Sequence, residues 1–296
     1  MIQNLINFIK GDVIGAEFEM SKTPSYNKKE IINPIWTDDT SQMFCIIEAL
    51  IETEKSSNLL TDFKFCLKEK LLKWYYDGYL TPEGKAIGTG RTTREAMSDL
   101  RNNLKVENDK LSSGALMRCT PFLFTKNTDL LYTSINLTHK NELHFEYCKA
   151  YLNLYRSKKQ HSIEIKNVEI PWIKNNAEDI VTFIYKNQNI IHTPEILNKV
   201  IATGGDTDTV LALIGALNEQ EFLPDIKFNC PDNLLSIILK LHEYLKKNIL
   251  KEIPCPNCTS EICKISSNLS YKCKNCKEEY TTTESDAIYL DEIKFI

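Results

Sequence analysis

Two short stretches constrain this chain more than any others. Trp36-Thr37-Asp38-Asp39-Thr40-Ser41-Gln42-Met43 and Gly204-Gly205-Asp206-Thr207-Asp208-Thr209 each set two aspartates and neighbouring hydroxyls at the start of an apolar run with helical period. Acids at a helix start are expected as caps and as partners of the helix dipole, an effect on the order of 1 kcal/mol. One cap does not need two aspartates. Four carboxylates from two distant stretches, with Thr37 and Thr209 beside them, would make an all-oxygen cluster suited to hard divalent cations. Buried without a cation they would repel one another strongly. Oxygen ligands favour magnesium or manganese over zinc, and two such ions about 3.5–4 Å apart are the arrangement of two-metal hydrolases. Cap and cation site are both open readings on these residues alone.

Most of the chain carries a helical period. Gly11-Asp12-Val13-Ile14-Gly15-Ala16-Glu17-Phe18-Glu19 alternates small, apolar and acidic residues and predicts a packed helix whose end delivers Glu19 outward. A polar loop follows from Ser21 to Pro34. After the first acid pair, Met43, Phe44, Ile46, Ile47, Leu50 and Ile51 share one helix face, and Phe63 to Tyr76 forms another helix that Gly78 ends. Gly88-Thr89-Gly90-Arg91-Thr92-Thr93 leads into a helix with Ala96, Met97, Leu100 and Leu104 inward. Backbone amides at such a start suit a phosphate, and a plain turn and cap would read the same way.

Ser112-Ser113-Gly114-Ala115-Leu116-Met117-Arg118 is a run of small residues entering a helix before Pro121, which permits close approach of another helix or of a ligand. Thr138-His139 to Tyr155 is helical in pattern through Leu143, Tyr147, Ala150, Tyr151 and Leu154. A lone histidine such as His139 is more often a structural residue than a site residue. Ile163 to Ile170 alternates briefly, as an extended loop or short strand. Further helices are predicted over 176–185, 194–202, 207–217 and 232–250, so residues 1–250 read as an all-α domain of about eight to ten helices.

With 296 residues, 42% of them hydrophobic and 26% charged, the chain has material for one sizeable core and a small appendage. A formal charge of −4 gives no general attraction to nucleic acid or to a membrane surface. Met1 to Lys10 lacks the basic start, sustained apolar stretch and small-residue cleavage site of an export signal. No segment approaches the roughly 18–20 apolar residues needed to span a bilayer. The expectation is an intracellular monomer, cytoplasmic, or nuclear in a eukaryotic or viral setting.

Of ten cysteines, five fall between Cys255 and Cys276. Cys255-Pro256-Asn257-Cys258 and Cys273-Lys274-Asn275-Cys276 have the spacing of a four-thiolate zinc site. A zinc ribbon with one structural Zn²⁺ and short strands around Tyr271 to Tyr280 is therefore expected over 251–296, since thiolate binding supplies folding energy that so short a segment lacks. Cys263 is surplus to the site. Lys264, Lys272, Lys274 and Lys277 with Tyr271 and Tyr280 could touch nucleic acid, but Glu278, Glu279 and Glu284 offset their charge, so the partner of the ribbon stays unknown.

Taken in order, Gly11-Asp12 through Glu19, Trp36 through Met43, Gly114 through Arg118, Thr138-His139 and Gly204 through Leu217 resemble the successive motifs of the ADP-ribosylglycohydrolase family, the ADP-ribosyl hydrolases of the dinitrogenase-reductase-activating type. The last of these motifs is the most specific. The resemblance implies an all-α fold with a binuclear Mg²⁺ or Mn²⁺ centre in a cleft. It also implies hydrolysis of the C1″ glycosidic bond of ADP-ribose, attached to a protein side chain or within its polymer. Carried over by position, Thr37, Asp38, Asp39, Asp206, Asp208 and Thr209 would be metal ligands, and Glu19 the acidic flap residue. Gly88 and Gly90 would approach the diphosphate, Ser112, Ser113 and Gly114 the ribose and phosphate side, and His139 would contact ADP-ribose. Glu19, Asp38 and Asp39 are the catalytic candidates; either Glu19 or Asp39 could take the proton of the attacking water.

Ser112-Ser113 departs from the Gly-Asn that members commonly carry there. That departure gives the alternative of a catalytically inactive ADP-ribose-binding module. A third reading, an unrelated two-metal phosphohydrolase, would release phosphate or nucleotide instead of ADP-ribose.

Overall fold

Small residues in the amino-terminal segment set how the helical domain is built. The computed structural model describes residues 2–23, 25–26, 34–125, 127–155, 165, 168–221, 223–224, 226, 236–237, 239–240 and 243–244, together with the backbone of 262–264, 270–273 and 279–281. Helix α1 (Ile2–Ala16) packs along α9 (Thr207–Ala216). A Cβ on Gly11 would stand 2.2 Å from the Leu211 carbonyl oxygen, one on Gly15 2.3 Å from the Asp208 Cα, and one on Gly215 2.2 Å from the Asn7 carbonyl oxygen. The two backbones lie closer than any larger residue would allow.

Polar side chains close both ends of this contact. Asn4 Nδ2 donates to the Ala216 carbonyl (2.8 Å), Asn7 Nδ2 to those of Asn218 (3.1 Å) and Gln220 (2.8 Å), and Thr207 Oγ1 to that of Gly15 (2.7 Å). The helices therefore run antiparallel, and the end of α1 meets the start of α9. Gly15→Val is expected to destabilise by about 1–3 kcal/mol through overpacking. The clash falls on the Asp208 backbone, and thermal denaturation of the variant reads the loss.

Helix α2 (Asp38–Thr53) is buried along nearly its whole length, which explains why its polar first turn is buried too. It packs on α3 (Leu59–Asp77), which ends at Gly78 in the left-handed conformation (φ 68°) as the sequence predicts. Phe8, Trp36, Met43, Phe44, Phe63, Trp74, Phe122 and Tyr151 fill the core. The remaining helices are α4 (Arg91–Arg101), α5 (Thr128–Asn136), α6 (Glu142–Tyr155), α7 (Ala177–Lys186) and α8 (Glu195–Thr203). Among the described residues none is long and apolar enough to cross a membrane.

Several expectations shift in detail. Helix α4 stops at Arg101, and Asn103 takes a left-handed conformation (φ 55°) that turns the chain outward. Leu104 is therefore 60% exposed instead of inward. Thr138 and His139 lie in the turn after α5, and α6 begins only at Glu142, so Leu143 at its first turn is 47% exposed. The small-residue run forms 3-10 segments, Ser113–Ala115 and Met117–Leu123, the second holding Pro121, in place of an α-helix. The segments predicted over 163–170 and 232–250 lie mostly outside the described residues.

The chain divides into two compact units, Met1–Leu241 and His242–Ile296. The second carries an antiparallel sheet of β1 (Ile262–Lys264), β2 (Ser270–Cys273) and β3 (Glu279–Thr281) in that order. Tyr271 pairs with Lys264 on one side and with Tyr280 on the other. The expected zinc ligands, the side chains of Cys255, Cys258, Cys273 and Cys276, lie outside the described residues.

Candidate metal centre

The second acid pair reaches its place through a turn that only glycine permits. Gly204 and Gly205 have φ of +72° and +102°, and a Cβ on Gly205 would lie 1.9 Å from the Ile173 carbonyl oxygen. In that gap Ile173 N donates to Gly204 O and Asp206 N to Ile173 O, both at 3.0 Å. Met20 N donates to Gly205 O at 2.9 Å, which ties the residue after Glu19 to the same turn. Asp206 stands at the amino-terminal cap position of α9 yet makes no capping bond with its side chain.

At the first pair Thr37 caps α2, its Oγ1 accepting from Asp39 N (3.4 Å), and the turn is braced by Asp12, a residue the sequence motif contains but to which no role could be assigned from spacing. Its carboxylate is wholly buried and accepts from Thr37 N (3.0 Å), Thr37 Oγ1 (2.8 Å), Thr40 N (3.1 Å) and Thr40 Oγ1 (2.6 Å). These donors occupy the roughly four lone-pair sites of a carboxylate. Asp12 is thus spent on the start of α2, and Asp38 and Asp39 are left to face the cleft. Thr37 is the N-cap of α2 and turns its hydroxyl towards Asp12.

Glu19, Asp38, Asp39, Asp206, Asp208 and Thr209 line a cleft of about 140 Å³. Thr209 joins the two motifs: its Oγ1 donates to Asp39 Oδ2 (3.4 Å), and its backbone N to Asp208 Oδ1 (2.9 Å). Gln42 Nε2 donates to Asp38 Oδ2 at 3.3 Å. Glu19, Asp206 and Asp208 each bring a carboxylate oxygen within 4.8 Å of the others. Asp39 Oδ1 and Asp206 Oδ2 are buried with no hydrogen-bond partner among the described residues.

Burial, and after it Asp208 and Asp12, pushes the Asp38 and Asp39 carboxyls far above the ordinary range. Burial and Asp206 do the same to Asp208. Burial raises Asp206 to about 6, and burial followed by the charges of Asp208 and Asp12 raises Glu19 to about 7. Orphaned carboxylate oxygens and mutual repulsion are what hard divalent cations would relieve, so the residues present fit such ions.

Groups with hydrogen-bond donors line the same cleft. Gly88 (φ +79°) lies flat on the first acid pair, where a Cβ would meet Asp38 Oδ1 at 2.5 Å. Gly90 is the N-cap of α4, and Arg91, Thr92 and Thr93 follow it along the cleft. Ser112, Ser113 and Gly114 complete the lining, and a Cβ on Gly114 would meet Thr93 Oγ1 at 2.8 Å. Asn175 also lines the cleft, accepting at Oδ1 from Ser113 Oγ (2.8 Å) and Ser113 N (3.3 Å). Nothing in the local sequence marks Asn175, because its partner is 62 residues away.

Of the expected site residues, Thr37 and His139 are not among those that line the cleft: the Thr37 hydroxyl donates to Asp12, and His139 is wholly buried, with Nε2 2.9 Å from Ser112 Oγ. Arg118, also wholly buried, donates to the carbonyls of Gly114 and Ser134 (3.0 Å), to Gln42 Oε1 (3.2 Å) and to Thr138 Oγ1. It thereby fixes the Gly114 turn, and through Gln42 it touches the Asp38 network. A lone arginine after a small-residue run was the signal for this role, but beyond the local Gly114 its partners come from two distant stretches, at Gln42 and at Ser134 to Thr138.

Fold and site together define a helical protein whose cleft combines buried carboxylates with groups that donate hydrogen bonds. The family model ADP-ribosylglycohydrolase matches residues 8–164, just over half of the chain, and the chain belongs to that family. It is similar to the ADP-ribosylarginine hydrolase Tri1 of Serratia proteamaculans (strain 568), with 29% identity over 101 residues. That stretch is 31% of this chain and only 26% of the relative's length. A solved structure described as an ADP-ribosylglycohydrolase-related protein complex superposes with a TM-score of 0.60 at 16% identity. It covers 82% of this chain and 96% of its own, a likeness of fold.

Proposed function

We propose that this chain is an ADP-ribosyl hydrolase that releases ADP-ribose from a modified macromolecule by cleaving the C1″ glycosidic bond. The observation that carries the reading is the meeting of both acid pairs in one cleft, with buried carboxylate oxygens lacking partners, in a chain of this family. Asp38, Asp39, Asp206, Asp208 and Thr209, with Thr37 beside them, would hold two Mg²⁺ or Mn²⁺ ions. Such ions supply positive charge against the carboxylates and polarise the ribose hydroxyls.

The chain's own groups do the rest. Glu19 is half-buried and lines the cleft, where its carboxylate is placed to take a proton from water. The surrounding carboxylates stabilise positive charge that develops on the ribose ring as the bond breaks, in the manner of glycosidase acids. A cleft of about 140 Å³ is smaller than the roughly 300 Å³ of pockets that enclose drug-sized ligands. It therefore receives a ribose-sized part of the ligand, and the diphosphate extends along Gly88 to Arg91.

The name of the Serratia relative makes an arginine-linked substrate the first to try, ahead of serine-, polymer- or nucleic-acid-linked ADP-ribose. The carboxy-terminal segment would hold one structural Zn²⁺ through Cys255, Cys258, Cys273 and Cys276. A panel of these four linkages, incubated with the full chain and Mg²⁺ or Mn²⁺, tests the reading by release of free ADP-ribose. Binding of ADP-ribose without release from any linkage would favour the inactive module, and release of phosphate or nucleotide the phosphohydrolase.

A further inference from the structure

Helix α3 keeps an apolar face that the core does not use. Its buried residues, Phe63, Leu67, Lys70, Leu71 and Trp74, share one side, and the helix packs against α2, α4 and α5. At about 100° per residue, Phe65, Leu72 and Tyr76 fall together on the opposite side. Phe65 is 67% exposed, Tyr76 40% exposed and Leu72 half-buried. Of the nine large hydrophobic residues exposed among those described, Leu60, Phe65 and Tyr76 all stand on α3. Leu104 is a fourth, kept beside the helix because Lys68 Nζ donates to Asn103 Oδ1 at 2.8 Å. Scattered exposed apolar side chains are ordinary, but four gathered on one helix mark a contact surface. Tyr76 is also held in place, with the Arg101 guanidinium 4.2 Å over its ring and the Tyr75 ring edge-on at 4.9 Å. An aromatic side chain already ordered loses little further freedom on association.

The charges beside this face say what fits it. Glu69 and Lys73 are both exposed and lie on the same flank of the apolar stripe. Two copies of α3 can lie antiparallel across a two-fold axis level with Lys70 and Leu71. Phe65 then stands opposite Tyr76 of the partner subunit, and Glu69 beside Lys73 of the partner subunit. The symmetry makes each of these contacts twice. A parallel pairing would instead set each charge against its own kind.

We propose that the protein forms a two-fold dimer through the solvent face of α3, in place of the monomer expected from the sequence. Phe65 and Tyr76 supply the apolar contact, and the Glu69 and Lys73 pairs fix the antiparallel direction. None of these residues lines the acidic cleft, so substitutions here test association without touching that site. One helix face on each side makes a small interface and hence a weak dimer.

Sedimentation velocity of the full chain in reducing buffer, over about 1–100 µM, should show a monomer–dimer equilibrium with a dissociation constant on the order of 10 µM. Phe65→Glu should weaken it at least about 10-fold while the circular dichroism of the helical fold is kept. Glu69→Lys and Lys73→Glu each set like charges across the contact, and each should weaken the dimer by about 10-fold. An equal mixture of these two variants should associate as wild type does, because every pair across the contact is then opposite in sign. Within each helix residues 69 and 73 remain like-charged in the mixture, so the recovery can come only from across the contact. A wild type that stays monomeric over this range overturns the dimer. Association that survives Phe65→Glu overturns the α3 face as its seat, and a mixture no better than either variant alone overturns the antiparallel pairing.

Discussion

Asp39→Asn is expected to raise the thermal midpoint of the metal-free protein while abolishing its activity. Its carboxylate is buried beside Asp38, Asp206, Asp208 and Asp12, and Oδ1 has no partner among the described residues. A carboxyl whose folded pKa is raised contributes stability below its unfolded value near 4 and loses it as pH rises through the folded pKa. At neutral pH the ionised cluster therefore opposes folding, and removing one charge relieves it. A gain of about 1–2 kcal/mol corresponds to roughly 2–8 °C for a domain of this size. The gap from wild type should be widest at neutral pH and close towards pH 4. Saturating Mg²⁺ or Mn²⁺ should act oppositely, raising wild type by about 2.7 kcal/mol at 100 times the dissociation constant and Asp39→Asn far less. Loss of an outer-shell partner of a metal typically costs about 10–100-fold in activity, and loss of a ligand should exceed that. Scanning calorimetry with and without Mn²⁺, paired with a rate measurement, reads all three effects.

Asp12→Ala should fail in the other direction, by unfolding. Although it too removes a negative charge from the neighbourhood of Asp38, Asp39 and Asp208, it strands four buried donors on Thr37 and Thr40. Each unsatisfied donor costs about 1–3 kcal/mol, so the loss outweighs the relieved repulsion even if water reaches some of them. A net destabilisation of about 3 kcal/mol or more is expected in urea unfolding, with no gain at any pH. The opposite signs of Asp12→Ala and Asp39→Asn distinguish a carboxylate that holds the helix start from one that serves the cleft. If Asp12→Ala were as stable as wild type, the separation of cap from ligand would be wrong.

That separation also marks where the sequence could be read and where it could not. Two aspartates at one helix start exceed what a cap needs, and this excess is local, so both acid pairs were legible as cleft residues. The turn at Gly204 and Gly205 was legible too, as two glycines directly before an acid pair, and both have positive φ; Gly88 was read only as a phosphate-facing turn, and its place against Asp38 was not legible. Which acid braces the helix start was not legible, because Asp12 reaches Thr37 and Thr40 across 25 and 28 residues. His139 read as a ligand contact by resemblance and lies instead behind Ser112, since α5 ends at Asn136 and leaves it in a buried turn. Helical period placed α2, α3, α7 and α9 closely, but it carried Leu104 inward past the left-handed Asn103, a local break that hydrophobic spacing does not register.

The central claim is that the two acid pairs form one divalent-cation site on which ADP-ribose release depends. The direct measurement is release of free ADP-ribose from an ADP-ribosylated protein after the full chain has been stripped with EDTA, before and after Mg²⁺ or Mn²⁺ is returned. Asp208→Ala is measured alongside. Wild type should fall silent and recover with the metal, and Asp208→Ala should stay silent throughout. Full release by the stripped wild type, or by Asp208→Ala, would contradict the account.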